Sequence, residues 1–462
     1  MLDMSFEPNE IKQLAKRFPS KFTFGSATAS WQIEGSSQSR GPSVWDDFAA
    51  IEGNIKDGTV ADPACDSVNR YKEDIELLKY LGVDTYRFSV SWPRVYDFKN
   101  DKPNQEGLNY YSNLIDGLIE AGIKPTLTMY HWDLPSELQE KGGWQWPGIT
   151  DEFAQYAELL ASNFADRVDT WATLNEPWVV SFLGHATKIH APGLGDPRAG
   201  FISAYYQLVA HGKAMKVLRD YNVNSAGTVL NMTEILSDYD ECADAVKHVD
   251  NLQNGMWLDM LAGRGISDYT KESTKEFTDW SFVNEEELKL ASEPIDFLGI
   301  NYYTPNRIEP GEEQESFIVG QDAGVYPGSG NVKFVSREPK SLMGWEVRPE
   351  SLTNTLRATA RALPGVPLMV TENGGAFPDE IDGNQVHDPQ RVDYYFQHLS
   401  ACADAIDEGI DLQGYYCWSL MDNIEWAEGL EKRFGLFYVD HQTQKRTAKD
   451  SAKFIKELLA SR

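Results

Sequence analysis

A chain of 462 residues is long enough for several domains or for one large α/β barrel with elaborated loops. Hydrophobic residues make up 41 % and aromatic ones 12 %, with 13 Trp, enough for a sizeable core or a site that stacks flat rings. The formal net charge of −29 repels phosphate backbones and anionic lipid headgroups, which excludes nucleic acid and membrane surfaces and points to a neutral or cationic small-molecule partner.

From the start of the chain, Pro8-Asn9-Glu10 to Lys16-Arg17 contains no apolar run of the signal-peptide kind. No stretch approaches the roughly 18 apolar residues of a membrane span, so a cytoplasmic protein is expected. The first strand is predicted at Phe22–Ser26, followed by a long polar loop that obscures helical periodicity. Further strands are predicted at Thr85–Ser91, Pro125–Tyr130, Val168–Leu174, Ala226–Asn231, Asp296–Tyr302, Pro367–Thr371 and Gly414–Ser419. Helical spacing of apolar residues marks Arg70–Leu81, Leu108–Ala121, Asp151–Phe164, Ala204–Tyr221, Pro349–Leu363, Arg391–Glu408 and Thr447–Leu459. With no repeat and no linker dividing the chain, residues 1–462 read as a single (β/α)8 TIM barrel. A doubly wound sheet would place a Gly-rich phosphate turn after its first strand, but Phe24-Gly25-Ser26-Ala27-Thr28 runs on to Gln32 instead. Insertions near Lys99–Gln105, Gly142–Ile149, Lys188–Arg198 and Glu309–Arg337 are expected to wall a pocket at the catalytic end.

Two glutamates stand out against this frame. Glu176, in Leu174-Asn175-Glu176-Pro177, and Glu372, in Val370-Thr371-Glu372-Asn373-Gly374, each follow a buried strand-like run, where a barrel places its chemistry. One carboxylic acid and one carboxylate facing a bond is the equipment for cleaving a glycoside. A gap of about 5–5.5 Å between them means retention of configuration, and about 6.5–9.5 Å means inversion. Taken alone, Glu176 also reads as an exposed loop residue; the argument rests on convergence.

The other strand ends carry groups suited to sugar. Gln32 follows strand one, Arg87 lies in strand two, His131-Trp132 end strand three, and Asn301 and Tyr303 end strand six. After strand eight come Trp418, Glu425 and Trp426. Amides, carboxylates and an imidazole bind vicinal hydroxyls, and indole faces stack on a pyranose. Arg87 or Tyr303 would hold Glu372 ionised and aligned. Singly, Arg87 is equally a buried ion pair and Trp132 a core residue. His185 and His190 sit five apart without a carboxylate partner, and Cys65, Cys242, Cys402 and Cys417 form no Cys-x-x-Cys pair, so no metal is expected. Phosphate-cradle motifs are missing too.

Longer runs carry a resemblance. Phe24 to Gly35, Tyr86 to Trp92, Tyr130-His131-Trp132-Asp133-Leu134-Pro135, Thr173 to Pro177, Asn301-Tyr302-Tyr303-Thr304, Thr371 to Gly374, Trp418 to Trp426 and Lys432-Arg433-Phe434-Gly435-Leu436 resemble those of family 1 glycoside hydrolases, the β-glucosidases, in the same order. The resemblance implies a retaining mechanism without cofactor, with Glu176 as acid/base and Glu372 as nucleophile. It implies that Gln32, His131, Trp132, Asn175, Trp418, Glu425, Trp426 and Phe434 bind substrate. It also implies that Arg87, Asn301 and Tyr303 support the nucleophile and its neighbourhood, and that Trp345 helps form the leaving-group site. A cis peptide between Trp418 and Ser419 is suggested as well. Relatives acting on 6-phosphoglycosides lack the glutamate at 425, and thioglucosidases carry Gln at 176, so a neutral β-glycoside is implied. Trp31 and Lys188 depart from the family's usual Tyr and Gly. β-Galactosidase, β-fucosidase, transglycosylase and a sugar-binding barrel without catalysis remain as alternatives. Oligomeric state is left open.

Overall fold

A computed structural model describes residues 8–312, 320–321 and 323–462. Eight strands, β1 (Thr23–Ala27), β2 (Thr85–Ser89), β3 (Lys124–Tyr130), β4 (Thr170–Asn175), β5 (Ser225–Asn231), β6 (Phe297–Asn301), β7 (Leu368–Asn373) and β8 (Leu412–Trp418), close into a barrel. Each pairs in parallel with its neighbours in sequence, and β1 closes on β8. All eight expected strands are present, with ends moved by two residues or fewer. β2 and β4 are buried along their whole length, as parallel strands covered on both faces require.

Helices follow the strands: α1 (Ser67–Leu81), α2 (Gln105–Glu120), α3 (Ile149–Phe164) and α4 (Pro197–Asp220) after β1 to β4. After β5 comes a composite that the sequence reading missed. α5 (Ala243–Asp250) passes through a π-helical turn (Asn251–Gly255) into α6 (Met256–Leu261). Its pieces are too short to show a periodic stripe. α7 (Pro349–Ala362), α8 (Pro389–Asp407) and α9 (Asp450–Ala460) complete the set. The predicted starts of α1, α2 and α9 miss by three residues and that of α4 by seven: Pro197 at N1 begins α4, and Thr447 belongs to a hairpin strand (Lys445–Ala448) instead of α9.

Two of the four insertions wall the cavity. His190 and Gln321, from the third and fourth, line it, while residues 313–319 and 322 of the fourth lie outside the described residues. The other two do not. Tyr96–Asp97 pairs with Lys102–Pro103 in a hairpin whose next residue, Asn104, bonds the Arg94 carbonyl (2.9 Å). Near Gly142 the chain folds its Trp144 inward, donating to Tyr130 Oη (3.0 Å). Neither loop contributes a residue to the cavity lining.

At the C-terminal rim the ladder is irregular. Register shifts occur between Ala172 and Asn175 in β4 and between Val370 and Glu372 in β7. Such bulges re-aim the side chains that follow them. Glu372 therefore lies inside β7, opposite Asn301 of β6, and not past the strand end as expected. Gly374 lets the chain leaving β7 touch the Trp418 carbonyl; a Cβ there would overlap that oxygen. The Trp418–Ser419 peptide is cis.

Candidate active site

Glu176 follows β4 directly and opens a tight turn into a π-helix (Val179–Ala186). Trp132, Glu176 and Trp426 have φ of 77°, 48° and 48°, a region bulky side chains rarely adopt. Such backbone persists where packing over-determines it, and it clusters at functional sites. Here all three residues line one cavity of about 900 Å³, counted with its solvent-open mouth.

Ten of the predicted residues line that cavity: His131, Trp132, Glu176, Asn301, Tyr303, Trp345, Glu372, Trp418, Glu425 and Trp426. Four do not. Arg87, Asn175 and Gln32 are fully buried behind the wall. Phe434, expected at the substrate, backs Tyr303 and Trp345 with ring centroids 6.1 Å from each.

Arg87 organises the acidic floor. Its Nη1 donates to Glu372 Oε1 (2.6 Å), its Nη2 to Asn175 Oδ1 (2.6 Å) and its Nε to Thr128 Oγ1 (3.0 Å). Tyr303 Oη donates to the other Glu372 oxygen at 2.6 Å. Asn301 Nδ2 donates to Asn175 Oδ1 (3.0 Å) and to Glu176 Oε1 (2.6 Å), so the residue expected beside the nucleophile holds the other glutamate as well. Hence an unbroken polar chain runs Glu372–Arg87–Asn175–Asn301–Glu176.

These surroundings divide the pair. Burial raises the Glu176 carboxyl to about 8; the Glu372 charge adds to the rise, and Asn301 and Arg87 oppose it. Burial raises Glu372 too, but there Arg87 and Tyr303 both favour the charged form. These surroundings favour the proton on Glu176 over Glu372. Tyr303, raised by burial and then by the Glu372 charge, stays a donor.

Asn175 Oδ1 already accepts two hydrogen bonds, so its Nδ2 must donate to His131 Nε2 (3.0 Å). That makes His131 a neutral imidazole carrying its proton on Nδ1, consistent with burial and the Arg87 charge driving its pKa well down. Among the described residues, five buried polar atoms of the lining lack partners, His131 Nδ1, Trp178 Nε1, His190 Nδ1, Asn231 Oδ1 and Glu425 Oε2, as does Gln32 Oε1 behind it. Gln32 Nε2 is held by Asn423 Oδ1 (3.1 Å) and the Ile424 carbonyl (2.6 Å). The Glu425 carboxyl is raised well above its ordinary value by burial, then by Glu372, Glu428 and Glu176. Unsatisfied groups in such number cost stability and mark a place where a ligand completes the bonding.

The aromatic walls interlock. Trp426 lies 4.3 Å from Trp132 and stacks 5.7 Å from Trp31 at 8°. His131 stacks against Trp418 at 5.9 Å. The β8 loop bearing Glu425 and Trp426 rests on Asp422, which is fully buried and bonded to Lys449 Nζ (2.7 Å) and Arg433 Nη1 (2.7 Å). Burial alone would raise Asp422, but Lys449, Arg433 and Arg391 hold it low.

Sequence reasoning missed Trp178 and Leu183 of the turn and π-helix, Asn231 and Met232 at the end of β5, Met343, and Glu428, which pairs with Lys56 at 2.6 Å. Asn231 was discoverable, since strand five alone had no polar residue assigned at its end. His185 bonds the Val180 carbonyl and holds no metal partner; among the described residues no group of metal-ligating side chains occurs.

The family model for glycosyl hydrolase family 1 matches residues 14–462. The chain belongs to that family. This glycoside hydrolase is 41 % identical to β-glucosidase A of Thermotoga maritima over 94 % of its length and 96 % of the relative's. It is 42 % identical to a bifunctional β-D-glucosidase/β-D-fucosidase of Bifidobacterium breve, covering 96 % and 98 %. Among solved structures, a psychrophilic β-glucosidase from Micrococcus antarcticus superposes with a TM-score of 0.92 at 39 % identity, covering 97 % and 98 %. The Thermotoga maritima β-glucosidase in complex with deoxynojirimycin gives 0.88 at 40 %, covering 96 % and 98 %. The family 1 hydrolase thus shares its barrel with β-glucosidases over nearly its whole length.

Proposed function

We propose that this enzyme is an exo-acting β-glucosidase working by double displacement. Glu372 attacks the anomeric carbon while Glu176 gives its proton to the departing oxygen, leaving a covalent glycosyl-enzyme. Glu176, now ionised, takes a proton from water, which displaces Glu372 and releases the sugar with its configuration retained. The observation carrying this reading is the asymmetry of the pair. Glu372 is held by a cation and a phenol, whereas Glu176 has a single amide and faces its neighbour's charge. Side chains supply both roles, so the mechanism needs no cofactor.

His131, Glu425 and Trp426 take the hydroxyls of the non-reducing sugar, Trp418 packs against its ring, and Gln32 and Asn175 support that wall from behind. Glu425 Oε2 and His131 Nδ1–H are the unpartnered polar atoms of the lining that meet hydroxyls. Arg87 and Asn301 position the acidic pair from behind. Among the described residues four glutamates line the cavity, and the charge favoured on Glu372 by Arg87 and Tyr303 repels a phosphorylated glycone, so a neutral one is preferred.

The test is chemical rescue. Glu372→Ala should lose turnover, and azide should restore part of it by forming an α-glucosyl azide from an aryl β-glucoside. A β-configured azide would overturn the nucleophile assignment. Rates on aryl gluco-, galacto-, fuco- and 6-phosphogluco-sides then rank the glycones; a faster 6-phosphoglucoside would contradict the reading.

A further inference from the structure

Trp345 is half-buried, with its ring 5.4 Å from Tyr303, whose hydroxyl bonds Glu372. It belongs to a short strap closed by Ser341 N–H to the Trp345 carbonyl (2.9 Å) and Val347 N–H to the Pro339 carbonyl (2.8 Å). The next residue, Glu346, points away from the cavity lining and is 4 % exposed. Arg307 grips it with two parallel bonds, Nη2 to Oε1 (2.8 Å) and Nε to Oε2 (3.1 Å). Arg337 N–H adds a third at 3.1 Å, and the Glu346 carbonyl accepts from Thr304 Oγ1 at 3.0 Å. Burial works to raise this carboxyl, yet the Arg307 fork and the Arg337 amide hold it below the ordinary carboxylate range.

Arg307 stands on a strand (Asn306–Pro310) of a three-stranded sheet outside the barrel, paired with Val332–Val335 and Ile235–Leu236. Isolated ion pairs on a surface do little, but a buried bidentate fork fixes the relative position of the two segments it joins. One segment carries Trp345. The other begins three residues after Tyr303. The pair therefore ties the side sheet to the strap beside an indole that lines the cavity.

We propose that Glu346, clamped by Arg307, is a positioning residue that holds the Trp345 ring in place for the leaving group. This rests on the reading of the cavity given under Proposed function. The consequence is selective: a substrate whose leaving group reaches Trp345 depends on the clamp, and one whose leaving group is a single atom does not.

The experiment compares cellobiose with β-glucosyl fluoride. In Glu346→Gln, kcat/KM for cellobiose should fall about tenfold, chiefly through KM, with the fluoride changed less than about twofold. The double variant Arg307→Met/Glu346→Met removes both charges together, avoids a lone buried cation, and should show the same split. Equal losses on both substrates would reduce the clamp to a structural role and overturn the inference, as would unchanged cellobiose kinetics in the folded double variant. Trp345→Ala separates the two levels. If it impairs cellobiose while the clamp variants do not, the inference alone fails. If it leaves cellobiose untouched, the leaving-group reading of that ring fails and the inference falls with it.

Discussion

Glu176→Gln tests where the site keeps its proton. In a flexible chain this carboxyl loses its proton near 4.5, whereas burial and the Glu372 charge hold it to about 8 in the fold. A folded-state value raised above the unfolded one means stability that is full below 4.5 and lost as pH climbs through 8. At pH 7 the unfolded wild-type chain has ionised and the folded one has not, a penalty of roughly 3 kcal/mol, rising to roughly 5 kcal/mol above pH 8. Gln cannot titrate, and its carbonyl still accepts from Asn301 Nδ2 as Glu176 Oε1 does. Up to pH 8 the neutral Glu176 and Gln present the same charge to Glu372, so other titrations cancel in the comparison. The variant should therefore match wild type in unfolding midpoint near pH 4.5 and gain on it steadily to pH 8. Guanidinium unfolding or calorimetry of both proteins at five pH values between 4.5 and 9 measures this. A difference that stays flat, or that favours wild type with rising pH, refutes the reasoning. Under the proposed mechanism the gain trades against activity, because the same proton is the one given to the leaving group.

Two further outcomes follow from contacts at the rim. Tyr303→Phe removes a 2.6 Å hydrogen bond to Glu372 Oε2, one to a charged group worth roughly 1.5–3 kcal/mol, so kcat/KM should drop about 10- to 100-fold. The acid limb of its pH profile should move to higher pH, since the lost donor favoured the carboxylate; an unmoved limb would count against Glu372 as the group that must ionise. Lys449→Met removes one of the two side chains that pair directly with Asp422, leaving Arg433 and the Gly435 N–H, and should cost roughly 3 kcal/mol in chemical denaturation while raising KM through the loop bearing Glu425 and Trp426. Wild-type stability with wild-type KM would show that the buried charge cluster does not hold that loop.

The strands were readable because parallel barrel strands are short, continuous apolar runs. The glutamates were readable because each sits in a run of unusual composition at such a strand's end. Asn175 and Arg87 were legible as polar residues in buried places, but the chain of bonds linking them to both acids was not, since its members come from β2, β4, β6 and β7. Phe434 shows the opposite case: a residue inside a family-like motif, expected at the substrate, lies outside the cavity lining and packs against Tyr303 and Trp345. Trp178 and Leu183 went unnoticed because apolar residues in a helix look alike whether they face a core or a cavity.

Sequence alone decided the barrel and singled out the two glutamates and the polar and aromatic strand ends, because these depend on local apolar runs and on residue types at their ends. Which acid is favoured to hold a proton, which imidazole nitrogen is unpartnered, and which aromatic rings line the cavity were decided only by tertiary structure. Desolvation, charge proximity and hydrogen-bond geometry act through space, between residues such as Arg87 and Glu372, 285 positions apart in the chain.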